Sequence, residues 1–293
     1  MVETEVLEAL DGLQWLGSGE DVAQRFGVSQ STVSRHSRKA LRVFDLQMER
    51  HDGEWELIGD QTFLRLERQV HQQARWTQPR GRSLRLEATY WSAQTLCDPV
   101  PSGWMLGRSN IVGVGRNFEL LEAGIVDCWI AGLPDLPTAD QSDLAAITVS
   151  RMPVFFTCAP DHPLLKRKAL TVDDIAEFPT LALPQGSYPL VEEGLKRIGL
   201  WTDAVRMQRY ARHKWEGRAE ADLVVGYGTP LSMRVSGGNL RRLPVQLPFS
   251  SGEALVFRRQ FDRQWHLEEL LNRLRIRLKY WAQIEPEIEI LAP

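Results

Sequence analysis

The chain has 293 residues, a formal net charge of -3 and 43% hydrophobic residues. This length allows two or three domains with cores of their own, and the small negative charge restricts any contact with a polyanion to a local basic surface. No apolar run approaches the roughly 18 residues of a membrane span, and the acidic start Met-Val-Glu-Thr-Glu is unlike a signal peptide. The composition therefore predicts a cytoplasmic protein without membrane contact.

The first recognisable pattern along the chain is a pair of short helices joined by a tight turn. Ser18 is a suitable N-cap for a helix over residues 19–26, and Ser29 is a suitable cap for the next helix. Gly27 can supply the positive φ that ends the first of them. The spacing predicts a helix, a turn and a second helix.

The second helix carries short hydrogen-bonding side chains near its start and cations further on. Val33, Ala40 and Leu41 can face a core while the polar side chains project outward. This mixture suits a helix that reads base edges and binds phosphates, although a solvated polar face is the ordinary alternative. The residues predicted to contact DNA are Gln30, Ser31, Thr32, Ser34, Arg35, Arg38 and Lys39, joined by Arg50 of the next element.

A hairpin is predicted directly after this helix. Asp52-Gly53 lies between two short extended runs, residues 47–50 and 55–58, and Asp-Gly at such a position indicates a tight β-turn. The hairpin would form a wing beside the helix pair, with Arg50 close to a phosphate. Residues 1–60 are thus predicted to be a winged helix-turn-helix DNA-binding domain.

Residues 61–76 are rich in helix formers and carry one apolar edge. Phe63, Leu66 and Val70 are spaced three and four residues apart, which suits pairing with the same helix of a second copy. The alternative is that this edge packs on its own domain. The segment Gln78-Pro79-Arg80-Gly81-Arg82 then breaks the helix, so residues 61–82 are predicted to be a dimerising linker helix and hinge.

Beyond the linker, short apolar strands alternate with helices, which predicts parallel sheets in two α/β lobes. The first lobe is outlined by predicted elements at 84–88, 111–115, 117–123 and 127–132. An extended run crosses to the second lobe, and a helix at 264–281 is placed to return to the first. The effector part would span 83–293, with lobe I about 83–151 and 260–293 and lobe II about 152–259.

Hydroxyl and aromatic side chains fall at the predicted ends of strands in both lobes. Loops at the carboxyl ends of strands are where α/β domains usually bind small ligands, and free N–H groups at helix starts suit a small anion. We therefore expect a small, anionic metabolite between the lobes; capped turns or core packing are the alternative for each residue. The predicted effector-binding residues are Thr89, Tyr90, Trp91, Ser92, Gly132, Ser187, Tyr188, Tyr227 and Thr229.

Other chemistry-bearing residues are scattered. Cys97, Cys128 and Cys158 match no zinc or redox spacing, so buried reduced thiols are favoured over a redox switch. The Gly113-Val114-Gly115 pair lacks the third glycine of a dinucleotide fingerprint. The sequence predicts no catalytic residue, metal site or cofactor.

Three stretches in the expected order make the chain resemble LysR-type transcriptional regulators over nearly its whole length. Gly27-Val-Ser-Gln-Ser-Thr-Val-Ser-Arg35 is similar to the core of that family's recognition motif. In the effector half, Ala123-Gly-Ile-Val-Asp127 with the strand after it, and Asp161-His-Pro-Leu-Leu165 with Leu170-Thr-Val-Asp-Asp-Ile-Ala176, are similar to two recurring stretches.

The resemblance implies a winged helix-turn-helix, a dimerising linker helix and an effector domain folded like periplasmic substrate-binding proteins. It also implies a homodimer or homotetramer that binds double-stranded promoter DNA and responds to a small inducer. Three features depart from the family pattern. Ser31 stands where the family commonly has proline, the wing is compact, and Asp98-Pro-Val-Pro-Ser-Gly103 interrupts what is usually a helix, which predicts a reshaped first half of the pocket.

Three other functions are alternatives to this one. A regulator of the same type that has lost inducer binding is the main alternative, because the segment from Trp91 to Trp104 is unusual. A solute-binding protein would share the two lobes but would have no use for residues 1–76. An enzyme would need a convergent nucleophile, base or metal site, and the sequence shows no such pattern.

Overall fold

The computed structural model describes residues 2–77, 83–221, 223–236 and 239–291. Its amino-terminal part follows the order expected of a winged helix-turn-helix with a further helix after it. The elements are α1 (Thr4–Leu16), α2 (Gly19–Phe26), α3 (Gln30–Val43), β1 (Gln47–His51), β2 (Glu54–Ile58) and α4 (Thr62–Thr77). The predicted hinge at residues 78–82 lies outside the described ranges.

The helix boundaries around the turn arise from the predicted caps. The Ser18 hydroxyl accepts a hydrogen bond from the backbone N–H of residue 21 at 3.1 Å, and the Ser29 hydroxyl accepts one from residue 32 at 3.1 Å. Gly27 ends α2 with a φ of 66°, a conformation that costs glycine little. The two serine caps and the positive φ of Gly27 therefore determine the angle between α2 and α3.

The wing forms where the Asp-Gly pair predicts it. Strands β1 and β2 pair antiparallel, from Gln47 opposite Ile58 to His51 opposite Glu54. Asp52 and Gly53 both adopt positive φ, 49° and 89°, as a two-residue hairpin turn requires. The hairpin prediction is confirmed.

The carboxyl-terminal part alternates strands and helices. The strands are β3 (Leu84–Ala88), β4 (Trp104–Leu106), β5 (Cys128–Gly132), β6 (Leu144–Thr148), β7 (Ser150–Cys158), β8 (Leu181–Ala182), β9 (Asp203–Ala204), β10 (Gly226–Gly228), β11 (Arg241–Ser251), β12 (Glu253–Arg258) and β13 (Glu289–Ile290). The helices are α5 (Tyr90–Leu96), α6 (Val114–Glu122), α7 (Val172–Ala176), α8 (Pro189–Arg197), α9 (Glu216–Ala221), α10 (Pro230–Val235) and α11 (Trp265–Ile284). None of the helices in the described ranges is long and apolar enough to cross a membrane.

Two sheets form the cores of the two lobes. Lobe I contains a five-stranded mixed sheet in the order β4-β3-β5-β12-β6, in which β3 runs parallel to β4 and β5. Strand β12 pairs antiparallel with β5 and β6, so it belongs to lobe I and not to lobe II, where the predicted boundaries put it. Helix α11 returns to lobe I as predicted and buries Leu270, Leu274 and Leu278 against this sheet.

The second lobe differs from the predicted parallel sheet. Its main sheet is antiparallel, in the order β10-β7-β11, with β13 also paired to β7. Among the described residues of this lobe, parallel pairing is confined to β8 with β9, two residues each, and a single bridge between Thr180 and Val225. The alternation of apolar runs and helices in the sequence predicts which segments form strands, but it does not predict which strands pair. The long strands β7 and β11 are adjacent in the sheet and antiparallel, whereas parallel neighbours would need a crossover connection such as a helix.

The segment predicted as a strand at residues 111–115 is instead a bend followed by a helix. Gly113 has a φ of 95°, and α6 begins at the next residue. Ile111 forms only a single antiparallel bridge, to Arg209 of lobe II. The interruption predicted after α5 is confirmed, because that helix ends at Leu96 and a loop leads from it to β4.

The amino-terminal part packs directly on lobe I, which the sequence did not predict. Trp15 of α1 is fully buried, and its indole N–H donates to Glu87 Oε2 of β3 at 2.6 Å. One hydrophobic cluster joins Trp15 and Val22 to Phe118 and Trp129 of lobe I. The two domains therefore share a core.

Candidate DNA interface and effector site

The recognition surface predicted on α3 is accessible to DNA. Gln30, Ser31, Arg35, Arg38 and Lys39 are exposed, whereas Val33 and Ala40 face the core as the helical spacing predicts. Of the other residues predicted to contact DNA, Thr32 and Ser34 are half-buried, and Arg50 is exposed on the wing. Packing against lobe I involves α1 and α2, so it leaves this face of α3 open.

Three of the cations of this surface, Arg38, Lys39 and Arg50, make contacts within the chain. Lys39 Nζ lies 2.9 Å from Glu3 Oε2, and Arg38 Nη2 donates to Ser34 Oγ at 2.6 Å. Arg50 Nε donates to the carbonyl of Gly53 at 3.0 Å. Exposed pairs of this kind contribute little to stability, so a DNA phosphate can replace them at small cost.

Helix α4 presents opposite faces to the chain and to solvent. Phe63, Leu66 and Val70 have 76%, 55% and 52% of their surface exposed. Arg68 and Trp76, on the other face, are buried against the same chain. The alternative in which the apolar edge packs on its own domain is therefore wrong, and the stripe formed by Phe63, Leu66 and Val70 is free to meet a second molecule.

A cavity of about 150 Å³ lies between the two lobes. Seven of the predicted effector residues line it, namely Thr89, Tyr90, Trp91, Gly132, Tyr188, Tyr227 and Thr229. The sequence missed further lining residues, among them Asn110, Val112, Met207, Tyr210, Trp215 and Glu216. Several of these come from irregular segments, where no periodic pattern signals a site.

Two predicted residues do not line the cavity. The Ser92 hydroxyl lies 2.6 Å from Thr89 Oγ1 and is fully buried beside it in the first turn of α5. The Ser187 hydroxyl donates to the carbonyl of Pro184 at 2.6 Å and so closes its own turn. Both positions correspond to the capped-turn alternative.

The predicted anion finds little support in this lining. At the start of α8 the carboxylate of Asp135 already accepts hydrogen bonds from the N–H groups of Leu190 and Val191, at 2.7 and 3.3 Å. Helix α10 begins with Pro230, which has no N–H to offer. None of the described lining residues is Lys, Arg or His. The start of α8 is thus occupied by a carboxylate, and the first residue of α10 offers no donor.

The most unusual polar groups of the cavity are Glu216 and Tyr227. The Tyr210 hydroxyl donates to Glu216 Oε1, while Glu216 Oε2 is buried with no hydrogen-bond partner. The Tyr227 hydroxyl is also buried without a partner of normal geometry. Burial raises the pKa of Glu216 above its ordinary value. These groups leave hydrogen-bonding capacity for a bound molecule.

Arg209 connects the cavity wall to the wing. Its neighbour Tyr210 lines the cavity, whereas the guanidinium of Arg209 binds both carboxylate oxygens of Glu54 at 2.5 and 2.6 Å. The same guanidinium lies 3.3 Å from the carbonyl of Trp15 in α1. A two-pronged Arg–carboxylate contact is geometrically specific, so it defines how lobe II sits on the wing.

The cysteines are free and buried, as predicted. Burial raises the pKa of Cys97 to about 12 and that of Cys158 to about 11. The pKa of Cys128 is likewise well above its ordinary value because of burial. The thiolate is the reactive form, so these thiols are poorly suited to redox sensing. Within the described ranges no group of His, Cys, Asp and Glu side chains is arranged to hold a metal.

A buried carboxyl near the cavity predicts a pH dependence of stability. Glu253 of β12 is 1% exposed and hydrogen-bonded by the Ser150 hydroxyl, and burial raises its pKa to about 7 from an ordinary 4.5. Because the folded state binds this proton more tightly, its contribution to stability is full below pH 4.5 and is lost as the pH rises through 7. Relative to Glu253→Gln, the parent should lose about 3 kcal/mol of unfolding free energy across that range.

Urea unfolding of both proteins at several pH values measures this difference. The exposed Glu49→Gln variant is the control and should follow the parent at every pH. A constant difference between the parent and Glu253→Gln from acid to neutral pH would contradict the burial argument.

Comparison with known proteins places these features in a family. A family model described as the LysR substrate binding domain matches residues 112–279. A full-length OxyR variant from Pseudomonas aeruginosa has a TM-score of 0.59 and 17% identity, covering 94% of this chain and 95% of that one. Full-length CbnR in complex with its target DNA has a TM-score of 0.53 and 15% identity, covering 94% and 100%.

An OxyR variant from Corynebacterium glutamicum is similar to the same extent, with a TM-score of 0.53, 14% identity and coverage of 95% and 92%. At such identities the likeness shows the fold. Among curated proteins, none is significantly similar to the chain in sequence. Since the family model spans more than half of the chain and full-length regulators share its fold, the chain belongs to the LysR family of DNA-binding transcriptional regulators and carries that family's effector-binding domain.

Proposed function

We propose that this chain is a sequence-specific regulator, not an enzyme, whose DNA affinity depends on a small metabolite bound between its effector lobes. It acts in the cytoplasm as a homodimer or homotetramer on double-stranded promoter DNA. The observation that carries the proposal is the contact made by Arg209, because this residue joins the wall of the cavity to the wing beside the recognition helix.

DNA binding is assigned to α3 and the wing. The exposed polar and cationic side chains of α3 begin at its capped end, which is the end that enters the major groove in helix-turn-helix proteins. Gln30, Ser31 and Arg35 are placed for base edges, while Arg38, Lys39 and Arg50 are placed for phosphates. The structure of CbnR that shares this fold contains its target DNA, which supports DNA binding by this chain.

Pairing through α4 is assigned to its exposed stripe. Two copies that meet along Phe63, Leu66 and Val70 would remove these side chains from water and place two recognition helices on one DNA molecule. The buried face of the same helix holds α4 to its own effector domain. Pairing of the stripe therefore fixes the separation of the two DNA-binding domains.

The cavity supports a bound effector over the inducer-independent alternative. Trp91 lines the space and does not fill it, and a volume of about 150 Å³ remains between the lobes. The backbone of residues 208–210 pairs with residues 110–112 across the lobes, with Val112 N–H donating to the carbonyl of Gln208 at 3.0 Å. Both segments line the cavity, so a ligand that changes their spacing also moves Arg209.

A ligand alters DNA affinity only if it binds the two arrangements of the lobes differently. In the observed arrangement Arg209 holds Glu54 at the turn end of the wing. An arrangement in which this contact is broken would free the wing and α1 to reorient. A bound effector can therefore act on the DNA-binding domain of the same chain through the contact between Arg209 and Glu54.

Salt-dependent DNA binding tests the assignment of the recognition helix. Arg38→Ala should weaken binding to all sequences and lower the salt slope by about one unit for each phosphate that the arginine neutralises. Gln30→Ala should instead reduce the preference for the operator over unrelated DNA, because it removes a side chain that reads the groove. Fluorescence anisotropy across a salt series measures both quantities.

Arg273→Ala, an exposed change on α11 of the effector domain, is the matched control and should bind as the parent does. If Arg38→Ala and Gln30→Ala were indistinguishable from this control, DNA recognition by α3 would be ruled out.

A further inference from the structure

We infer that the cavity between the lobes takes a small aromatic or alicyclic amine, with its ammonium group on Glu216 and its hydrocarbon body against the aromatic wall. This inference rests on the proposed function and names the ligand class of the same site. It replaces the anion expected from the sequence.

The size of the cavity sets the size of the ligand. Its volume of about 150 Å³ equals that of a protein cavity known to hold one benzene molecule. A ligand of about six to ten non-hydrogen atoms therefore fits without moving the lobes apart. One ring with a short polar arm meets this limit.

The walls of the cavity favour a ring and a positive charge. Tyr90 and Tyr210 stack with centroids 4.3 Å apart, and Trp215 and Tyr227 form an edge contact at 5.3 Å. All four side chains line the cavity. Aromatic faces attract cations as well as apolar groups, whereas they offer nothing to a carboxylate.

Glu216 supplies the anionic partner. The residue is 8% exposed, and its Oε2 atom is buried with no hydrogen-bond partner while Oε1 accepts the Tyr210 hydroxyl. A buried acceptor left unpaired costs free energy that a donor on the ligand recovers. The nearby Arg212 does not neutralise Glu216 by direct contact, because its guanidinium lies 3.1 Å from Glu220 and 2.6 Å from the carbonyl of Ser236.

Tyr227 provides a second polar position in the same cavity. Its hydroxyl is buried without a partner of normal geometry and can both donate and accept a hydrogen bond. It therefore accepts an additional N–H or donates to a ligand oxygen. The combination of one carboxylate, one hydroxyl and an aromatic wall recognises an amine and disfavours an acid.

Three probes that share one aromatic ring and are similar in size separate the ligand classes, namely benzylamine, benzyl alcohol and benzoate. In calorimetry on the full chain, benzylamine should bind most tightly and benzoate least. Glu216→Gln should weaken benzylamine binding about tenfold or more, since it removes a hydrogen bond between charged groups, and should leave benzyl alcohol nearly unchanged. Glu220→Gln, on the same helix but paired with Arg212, is the control and should bind all three as the parent does.

The ranking of the probes on the parent protein decides the inference even if Glu216→Gln folds poorly. Tighter binding of benzoate than of benzylamine, or unchanged benzylamine binding by a folded Glu216→Gln protein, would overturn the amine assignment while leaving an effector cavity in place. If none of the three bound, the amine assignment would be overturned and so would the effector part of the proposed function. DNA binding by α3 is tested separately and would be unaffected.

Discussion

Asp11→Ala is expected to lower the free energy of unfolding by about 3 to 5 kcal/mol, the largest effect on stability that this structure predicts. Asp11 of α1 is 1% exposed and binds two buried arginines, Arg68 Nε at 2.8 Å and Arg85 Nη1 at 3.1 Å. Each arginine is 2% exposed. Removing the shared carboxylate takes away the carboxylate that pairs with buried Arg68 and leaves buried Arg85 with only the longer contact to Glu8, at 3.8 Å.

The same carboxylate connects three parts of the chain. Arg68 belongs to α4 and Arg85 to β3, so Asp11 ties the DNA-binding domain to the linker helix and to lobe I. We therefore expect the parent to unfold in urea as a single transition and Asp11→Ala to unfold earlier, with the DNA-binding domain loosened from the rest.

Asp140→Ala is the matched control, because this aspartate lies exposed in a surface turn, and it should change stability by about 0.5 kcal/mol or less. A double variant, Asp11→Leu with Arg68→Met, should be more stable than Asp11→Ala, since apolar side chains replace a broken ion pair. Equal stability of Asp11→Ala and the Asp140 control would contradict a buried ionic cluster at this position.

Leu66→Lys should abolish high-affinity operator binding while leaving the fold intact. Leu66 is 55% exposed in the single chain, so a lysine there costs the monomer little, whereas an α4 to α4 contact would bury an unpaired cation. Without pairing, each copy binds its half-site independently, and the affinity for the whole operator should fall by about a hundredfold or more.

Sedimentation measures the mass and anisotropy measures the operator affinity of the same samples. Gln69→Lys adds the same charge at an exposed position of α4 outside the apolar stripe, and it should remain paired. A Leu66→Lys protein with the parent's mass would show that the chain pairs through another surface.

Local features were predictable because each depends on a few neighbouring residues. Ser18, Gly27 and Ser29 define the turn through hydrogen bonds and backbone freedom within ten or so residues. The Asp52-Gly53 hairpin and the end of α5 before the proline-rich segment follow in the same way. Recognition of the family adds the order of the domains, which no single local pattern contains.

Features that join distant segments were not predictable. The bonds from Asp11 to Arg68 and Arg85 span 57 and 74 residues, and no periodic pattern marks their partners. For the same reason β12 was assigned to the wrong lobe, and the packing of Trp15 on Glu87 was not foreseen. Pairing between separate segments depends on the whole fold.

Some residues of the candidate cavity could also be predicted from local sequence, and others could not. Thr89, Trp91 and Tyr227 were found because strand ends can be read from the sequence. Glu216 and Tyr210 were missed because they lie in or next to irregular segments between short elements. The charge of the ligand was predicted from helix starts alone, and the carboxylate of Asp135, 55 residues before its partner Leu190, changes that conclusion.

Selection of genomic DNA by the purified full-length protein tests most directly whether this chain is a sequence-specific regulator. Random fragments of the source genome are mixed with the protein, recovered with it and sequenced, in parallel with an Arg35→Ala variant. The parent should enrich a small set of fragments that share an inverted repeat with half-sites spaced by about one or more helical turns, and the variant should lose that enrichment. Recovery of fragments in proportion to the input, with no shared sequence, would contradict the account.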